Sequence, residues 1–159
     1  MQRGREVHEA RETKPIGARR IRQGGVVIAV DTLLEGQVIG LKGKVDEILE
    51  LGDGALAPID FKFTEKRDST FQTHQVQLCM YALLIEEVME RPVQRGWVVY
   101  VRAGNQFHEI VFDDKLRART ATAIRETRSI ISETRFPFAT RNRKKCPDCT
   151  YRKICPDGP

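Results

Sequence analysis

The sequence predicts an α/β domain in which a mixed sheet is flanked by helices. Two observations support this: β-branched apolar runs alternate with glycine turns, and two longer segments carry apolar residues at helical spacing. The predicted elements follow one another in the order α-β-β-β-α-β-β-α. An antiparallel meander joined to later strands by a crossover helix implies a mixed sheet with helices packed against it.

The first half of the chain contains the predicted meander. A polar helix is expected over 3–14, where Pro15 and Gly17 follow it. Strands are expected over 26–34, 37–51 and 55–63. The last two flank Gly52-Asp53-Gly54, a sequence typical of a hairpin turn.

The second half contains the crossover helix and the remaining strands. A helix is expected over 71–90, with Asp68, Ser69 or Thr70 as its cap and Arg91-Pro92 after its end. Strands over 95–102 and 106–112 should lead to an amphipathic helix over 113–134, capped by Asp113.

Length and composition limit the class of protein. The 159 residues suffice for a single core, and 40% hydrophobic residues exclude a mainly disordered chain. There is no run of 18 apolar residues, and the first residues lack the apolar stretch of a secretion signal. We therefore expect a cytoplasmic protein without a membrane partner, with a core over 1–140 and a basic cysteine-bearing segment over 141–159.

Positive charge is concentrated near the two ends of the sequence. Lys and Arg number 27 against 22 Asp and Glu, which gives a net charge of +5. Basic segments bind phosphates by Coulomb attraction and counterion release, although a merely solvated surface has the same composition. The candidate DNA-binding residues are Arg19, Arg20, Arg22, Arg141, Arg143, Lys144 and Lys145.

Acidic residues occur inside two predicted neighbouring strands. Asp60 and Lys62 share one face by strand alternation, whereas Phe61 and Phe63 should point into the core. If the strands pair across the glycine turn, Asp46 can approach Asp60, and a cation would relieve their repulsion. Mg²⁺ or Mn²⁺ prefers such oxygen ligands, and Lys62 is suited to activate the water that attacks a phosphodiester. A solvated strand face has the same residues, and Asp31 and Glu47 are expected at the surface.

The helix after the third strand adds two polar residues. Gln77 and Tyr81 are four residues apart and share a helical face, from which an amide and a phenol can position DNA. A partly buried polar pair would look the same. His8 on the first helix is a candidate metal ligand, and no role is assigned to His74 or His108.

Three of the four cysteines lie within ten residues. Cys146, Cys149 and Cys155 form a C-x2-C-x5-C pattern, which is typical of a soft metal centre. They are one ligand short of a closed zinc or [4Fe–4S] site. The remaining cysteine, Cys79, is expected in the core.

In series, these motifs resemble the RecB-like branch of the PD-(D/E)xK nucleases: His8, then Gly43-Lys44-Val45-Asp46, then Ile59-Asp60-Phe61-Lys62, then Gln77-x-x-x-Tyr81. The resemblance covers about 1–155 and implies a restriction-endonuclease-like core. It also implies that Asp46, Asp60, Lys62, Gln77 and Tyr81 are catalytic. The metal would be bound by His8, Asp46, Asp60 and the Phe61 carbonyl.

The cysteine pattern makes the sequence similar to the CRISPR-associated Cas4 exonuclease family. That resemblance implies a C-terminal cap holding a [4Fe–4S] cluster, with zinc as the second candidate. The family's fourth cysteine lies upstream of the His-bearing helix, where this sequence has none. Three interpretations stay open: the sequence is incomplete at its N-terminus, the cluster is absent, or the cluster has another ligand. The first would fit a domain of a longer chain, such as a fusion to the CRISPR integrase.

The implied function is trimming or cutting single-stranded overhangs of prespacers, dependent on the adjacent motif, before integration by the Cas1 integrase and its companion Cas2. Three alternatives remain open at this point. The domain could belong to a DNA-repair nuclease of the AddB/RecB type, to a non-catalytic DNA-binding subunit of the integration complex, or to a small zinc or iron–sulfur interaction protein without a DNA role.

Overall fold

The computed structural model describes residues 21–64 and 70–156, so the helix predicted over 3–14 lies outside the described residues. Within these ranges, six strands form one sheet in sequence order. They are β1 (Ile21–Arg22), β2 (Gly25–Gly36), β3 (Leu41–Leu51), β4 (Leu56–Lys62), β5 (Arg95–Tyr100) and β6 (Gln106–Val111).

Two helices accompany the sheet: α1 (Gln72–Met89) connects β4 to β5, and α2 (Asp114–Ser132) follows β6. Because α1 crosses over the sheet, β4 and β5 run parallel, whereas the other neighbouring strands run antiparallel. The predicted mixed sheet is thereby confirmed. Short 3₁₀ turns occur at Val101–Ala103 and Arg143–Lys145.

Both long hairpins close through glycine turns. Gly54 adopts a φ of 83° in the turn between β3 and β4, a backbone conformation that glycine adopts without strain. The turn between β2 and β3 is fixed to α1 by Glu87. The two carboxylate oxygens of Glu87 accept hydrogen bonds from the backbone amides of Val38 and Ile39, each at 2.9 Å. Because residues 37–40 form this turn, β3 begins at Leu41 and is shorter than the strand predicted over 37–51.

The sheet buries apolar side chains on both faces. On the α1 face, Ile48, Leu56, Leu78, Ile85 and Tyr100 belong to one core cluster. The opposite face carries a second cluster that includes Leu49, Ile59, Phe61, Trp97 and Val99. Cys79 is fully buried in the first cluster, as predicted. In contrast, Phe63 is 42% exposed, because β4 ends at Lys62 and the predicted inward alternation stops there.

The ends of the helices follow the sequence signals in part. Asp113 caps α2, as predicted, because its Oδ1 accepts a hydrogen bond from the Leu116 amide at 2.7 Å. The prediction that Thr70 caps α1 is wrong. The cap residue is Phe71, which has no capping side chain, while Asp68 and Ser69 lie outside the described residues.

A charged clamp joins the end of α1 to the start of α2. The guanidinium of Arg117 donates two hydrogen bonds to the Glu86 carboxylate, both at 2.8 Å. It also donates to the backbone oxygens of Val93 and Phe112. The hydrogen bonds to the Glu86 carboxylate raise the pKa of Arg117, and burial opposes the shift. The planar guanidinium, with its five donors, therefore forms hydrogen bonds to acceptors in three segments of the chain at once.

The chain divides into two compact units. The first extends to Thr120, and the second runs from Ala121 to the end of the chain. In the described part of the chain, no helix has the length and apolar character needed to cross a membrane.

We predict that Arg117→Lys lowers the free energy of unfolding by about 2 kcal/mol, because the single ammonium cannot replace four directed hydrogen bonds, most of them partly buried. Urea denaturation followed by circular dichroism measures the change. Arg125→Lys is the matched control, since Arg125 is exposed and its side chain donates to Thr122. Equal free energies of unfolding for the two variants would contradict the stabilising role of Arg117.

Candidate active site

The site begins where β3 and β4 stop pairing. Their last paired residues are Glu47 and Ile59, so one step further Asp46 and Asp60 lie opposite each other. Two carboxylates in adjacent register repel each other. The Asp46 carboxylate instead accepts a hydrogen bond from the backbone amide of Phe61, through Oδ2 at 2.7 Å. The predicted approach of the two acidic strands is therefore present.

Asp60 is the buried acid of this site, with 3% of its surface exposed. Lys62, two residues further along β4, lies on the same face, as strand alternation requires. The Lys62 Nζ is 2.8 Å from Asp60 Oδ2 and donates a hydrogen bond to Oδ1 at 3.1 Å. The ammonium thus partly compensates the cost of burying the Asp60 carboxylate.

Helix α1 completes the site through Gln77 and Tyr81. Lys62 Nζ donates a hydrogen bond to Gln77 Oε1 at 2.7 Å, and Gln77 Nε2 donates to the Tyr81 hydroxyl at 3.0 Å. The contacts form one continuous chain from Asp60 to Tyr81. Gly43 leaves room for it, because a Cβ at this position would lie 3.2 Å from the Tyr81 ring.

The charges of both acids act on the Tyr81 phenol. Burial raises the pKa of Tyr81, and the charges of Asp60 and Asp46 raise it further, while the hydrogen bond from Gln77 opposes the shift. The phenol therefore stays protonated at neutral pH and can donate a hydrogen bond. The structure thus brings together the five predicted residues Asp46, Asp60, Lys62, Gln77 and Tyr81.

The donor set suits a hard divalent cation. Mg²⁺ is usually bound through one or two carboxylates and keeps several of its waters. Asp46 and Asp60 supply such carboxylates, and Asp60 Oδ2 is buried without accepting an aligned hydrogen bond. Over 21–64 and 70–156, no three His, Cys, Asp or Glu side chains are grouped to hold a metal. The carboxylates therefore fit a hydrated cation rather than an all-protein cage.

The structure does not describe every predicted residue. His8, Arg19 and Arg20 lie outside the described residues. Arg22 Nε is 3.0 Å from Glu47 Oε2, and the Arg22 guanidinium lies over the Phe61 ring. The Glu47 carboxylate thus competes with a phosphate for the charge of Arg22.

Of the two acids that we expected at the surface, Glu47 is buried and Asp31 stays partly exposed. Glu47 is only 1% exposed, because Arg22 supplies the charge that allows its burial. Asp31 has a positive φ of 48° within β2, and its Oδ1 lies 3.0 Å from Lys44 Nζ. The prediction of a solvated position was wrong for Glu47, since a strand pattern alone does not reveal a cross-strand ion pair.

The C-terminal cysteines lie in consecutive turns of the second unit. The Cys149 amide donates to the Cys146 carbonyl oxygen at 3.2 Å, and the Arg152 amide donates to the Cys149 carbonyl oxygen. All three are free thiols, at least partly accessible. In the residues that the structure describes, they do not form a metal-ligand group. The iron–sulfur cap therefore stays a prediction from the spacing.

Sequence reasoning missed His74. It lies on α1 three residues before Gln77 and seven before Tyr81, on the same helical face. Burial and the Lys62 charge lower the pKa of His74, whereas the Asp60 charge opposes the shift. The spacing alone would have placed His74 beside the two predicted polar residues.

Comparison with known protein families gives a match that agrees with this site. The site has two acids and a lysine on strands, and a glutamine and a tyrosine on a helix. The family described as the PD-(D/E)XK nuclease superfamily matches residues 1–156. The chain belongs to the PD-(D/E)XK nuclease superfamily. Membership confirms the predicted restriction-endonuclease-like core and the motif resemblance stated above.

Relatives of this PD-(D/E)XK domain carry more specific names. A CRISPR-associated exonuclease Cas4/endonuclease Cas1 fusion from Geobacter sulfurreducens is 30% identical over 86% of this chain, which spans 26% of that protein. The CRISPR-associated exonuclease Cas4 of Thermoproteus tenax is 27% identical over 98% of this chain and 77% of its own length. The crystal structure of SSO0001 matches with a TM-score of 0.56 and 23% identity over 96% of this chain and 68% of its own. The chain thus spans about a quarter of the fusion relative.

We predict that Cys79 resists alkylation in the folded protein, whereas Cys146, Cys149 and Cys155 react after treatment with a chelator. Burial raises the pKa of the Cys79 thiol, although Thr120 and Arg117 oppose the shift, so little reactive thiolate forms at pH 8. Iodoacetamide labelling followed by peptide mass spectrometry measures each rate, with guanidinium-unfolded protein as the control. Labelling of Cys79 as fast as the other three cysteines would show that the α1 face of the core is open.

Proposed function

We propose that this domain is a divalent-metal-dependent DNA nuclease that hydrolyses phosphodiester bonds at the Asp46–Asp60–Lys62 site. The observation that carries the proposal is the continuous contact chain from the buried Asp60 carboxylate through Lys62 and Gln77 to Tyr81. Two acids and a lysine at the end of paired strands, beside a polar helix face, are the groups that phosphodiester hydrolysis requires.

Asp46 and Asp60 are the residues that would hold Mg²⁺ or Mn²⁺, with His8 and the Phe61 carbonyl as further candidate ligands. When bound, the cation neutralises phosphate charge and makes a coordinated water more acidic. The strand geometry fixes where the two carboxylates lie, since Asp46 is tied to the Phe61 amide and Asp60 is held by Lys62.

Lys62 acts as a positioned cation. Two of its three ammonium hydrogens are directed at Asp60 Oδ1 and Gln77 Oε1, which leaves one donor for the attacking water or a phosphate oxygen. A protonated ammonium between two acceptors orients water and stabilises negative charge on the phosphorus oxygens. Gln77 sets the direction of that ammonium, and the neutral Tyr81 hydroxyl is available as a donor to DNA.

The basic C-terminal segment is proposed to bind the DNA backbone. Arg141, Arg143, Lys144 and Lys145 are exposed within five residues of one another. Arginine and lysine that neutralise phosphates release counterions, so binding should weaken steeply as salt rises. Arg19 and Arg20 are proposed as further phosphate contacts.

The substrate and partners follow from the relatives. Proteins named Cas4 and Cas4/Cas1 fusion support a CRISPR-associated nuclease that works with a Cas1 integrase. We propose that the domain trims or cuts single-stranded overhangs of prespacers, dependent on the adjacent motif, before integration. Cas2 is proposed as a partner of the same complex. A [4Fe–4S] cluster on the three C-terminal cysteines, or a zinc ion, is proposed on their spacing.

Cleavage of end-labelled DNA with a single-stranded overhang tests the proposed activity. In Mn²⁺ or Mg²⁺ the chain, alone or with Cas1, should shorten the overhang, and EDTA should stop the reaction. Asp60→Asn should lower the rate by about 100-fold or more, because the variant removes a charged ligand without changing the side-chain shape. Glu126→Gln, an exposed acid on α2, is the matched control and should cut normally.

Fluorescence anisotropy with the same DNA separates the alternatives. Asp60→Asn should still bind the overhang, because the proposed phosphate contacts are made by other side chains. If the unsubstituted chain binds DNA but does not cut it with Cas1 and either metal, the domain is the non-catalytic DNA-binding module and the nuclease proposal is wrong.

A further inference from the structure

His74 lies beside the proposed nuclease site without a part in the contact chain. Its ring packs between two aromatic rings, Phe71 at 5.1 Å and Tyr100 at 6.1 Å between ring centroids. Helical spacing puts His74 on the face that carries Gln77 and Tyr81. The two ring contacts thus fix the position of the His74 side chain beside the site.

Tyr100 fixes one of the two ring nitrogens of His74. Tyr100 ends β5, directly in register with Lys62 on the parallel strand β4, and it is only 1% exposed. Its hydroxyl lies 3.3 Å from His74 Nδ1. On the other side, the His108 ring meets the Tyr100 ring edge-on at 5.1 Å between centroids. A buried tyrosine hydroxyl needs a hydrogen-bond partner, and Nδ1 provides it.

The charges around His74 favour a neutral ring. Burial lowers the pKa of His74, and the Lys62 ammonium lowers it further, against an opposing effect of Asp60. A neutral imidazole carries one donor and one acceptor nitrogen. When the Tyr100 hydroxyl donates to Nδ1, the proton of the ring is on Nε2. Within the described residues, Nε2 has no hydrogen-bond partner in the protein.

We propose that His74 is a further substrate-binding residue of the nuclease site, whose Nε2–H donates a hydrogen bond to a phosphate oxygen of the bound DNA strand, with Tyr100 as the residue that positions it. The inference rests on the proposed function, because it assumes that DNA occupies the site beside Lys62. A neutral donor suits this place, since it adds a hydrogen bond to the phosphate without adding a second positive charge next to the Lys62 ammonium.

Steady-state cleavage kinetics test the role of His74. His74→Leu should raise KM about tenfold and change kcat by less than about threefold, because a hydrogen bond to a charged phosphate is lost in both the bound substrate and the transition state. His74→Gln should restore most of the affinity, since its amide nitrogen can take the place of Nε2. Glu126→Gln, at an exposed position on α2, is the control and should leave both constants unchanged.

Two measurements do not depend on turnover. In an Asp60→Asn background, His74→Leu should weaken DNA binding about tenfold in fluorescence anisotropy. Nitrogen-15 NMR of the imidazole should show the proton on Nε2, and Tyr100→Phe should shift the tautomer balance of His74. Circular dichroism checks that each variant is folded.

The outcomes separate the two proposals. If the unsubstituted chain cuts DNA but His74→Leu leaves KM and DNA binding unchanged, or lowers kcat alone, the role of His74 is wrong and the nuclease proposal stands. If the unsubstituted chain binds DNA without cutting it, the nuclease proposal fails, and the anisotropy result in the Asp60→Asn background decides the role of His74.

Discussion

The hydrogen bond from the Phe61 amide to the Asp46 carboxylate is the contact on which the rest of the site depends. It takes the place of the next backbone pair in the β3–β4 ladder, which stops at Glu47 and Ile59. Asp46 and Asp60 are the next residues in register, and their carboxylates would repel each other if both lacked a partner. By tying Asp46 to the backbone of β4, the contact keeps both acids at the point where the strands separate, in reach of a shared cation.

The consequences extend to both faces of the sheet. On one face, Asp60 and Lys62 meet Gln77 and Tyr81 of α1, and Gly43 leaves room for the phenol ring. On the other face, Phe61 packs in the second core cluster under the guanidinium of Arg22. Strand β4 is thus buried on both sides, and this fixes its side chains more closely than an exposed loop would.

Much of this site could be predicted from the sequence because its residues follow local rules. Alternation puts Asp60 and Lys62 on one face, a glycine turn brings Asp46 opposite, and four-residue spacing aligns Gln77 with Tyr81. The strands and helices were predictable from apolar periodicity and turn residues for the same reason. The approach of Asp46 to Asp60 needed only one assumption, that the glycine turn closes a hairpin.

The remaining features depend on contacts between residues distant in sequence. Glu47 has the same local pattern as a surface acid, but it is buried beside Arg22, which lies 25 residues earlier in the sequence. His74 gains its place from Tyr100, which is 26 residues away. Phe71 begins α1 without a capping side chain, so no local signal marks that end. Phe63 is exposed because β4 ends one residue earlier than its apolar pattern suggests.

Isothermal titration calorimetry with Mn²⁺ is the most direct test of whether Asp46 and Asp60 share one cation. It measures metal binding by the two carboxylates and needs neither DNA nor turnover. We expect the unsubstituted chain to bind Mn²⁺ and both Asp46→Asn and Asp60→Asn to weaken that binding by at least about tenfold. Unchanged Mn²⁺ affinity in either variant would contradict the claim that the two carboxylates share one cation.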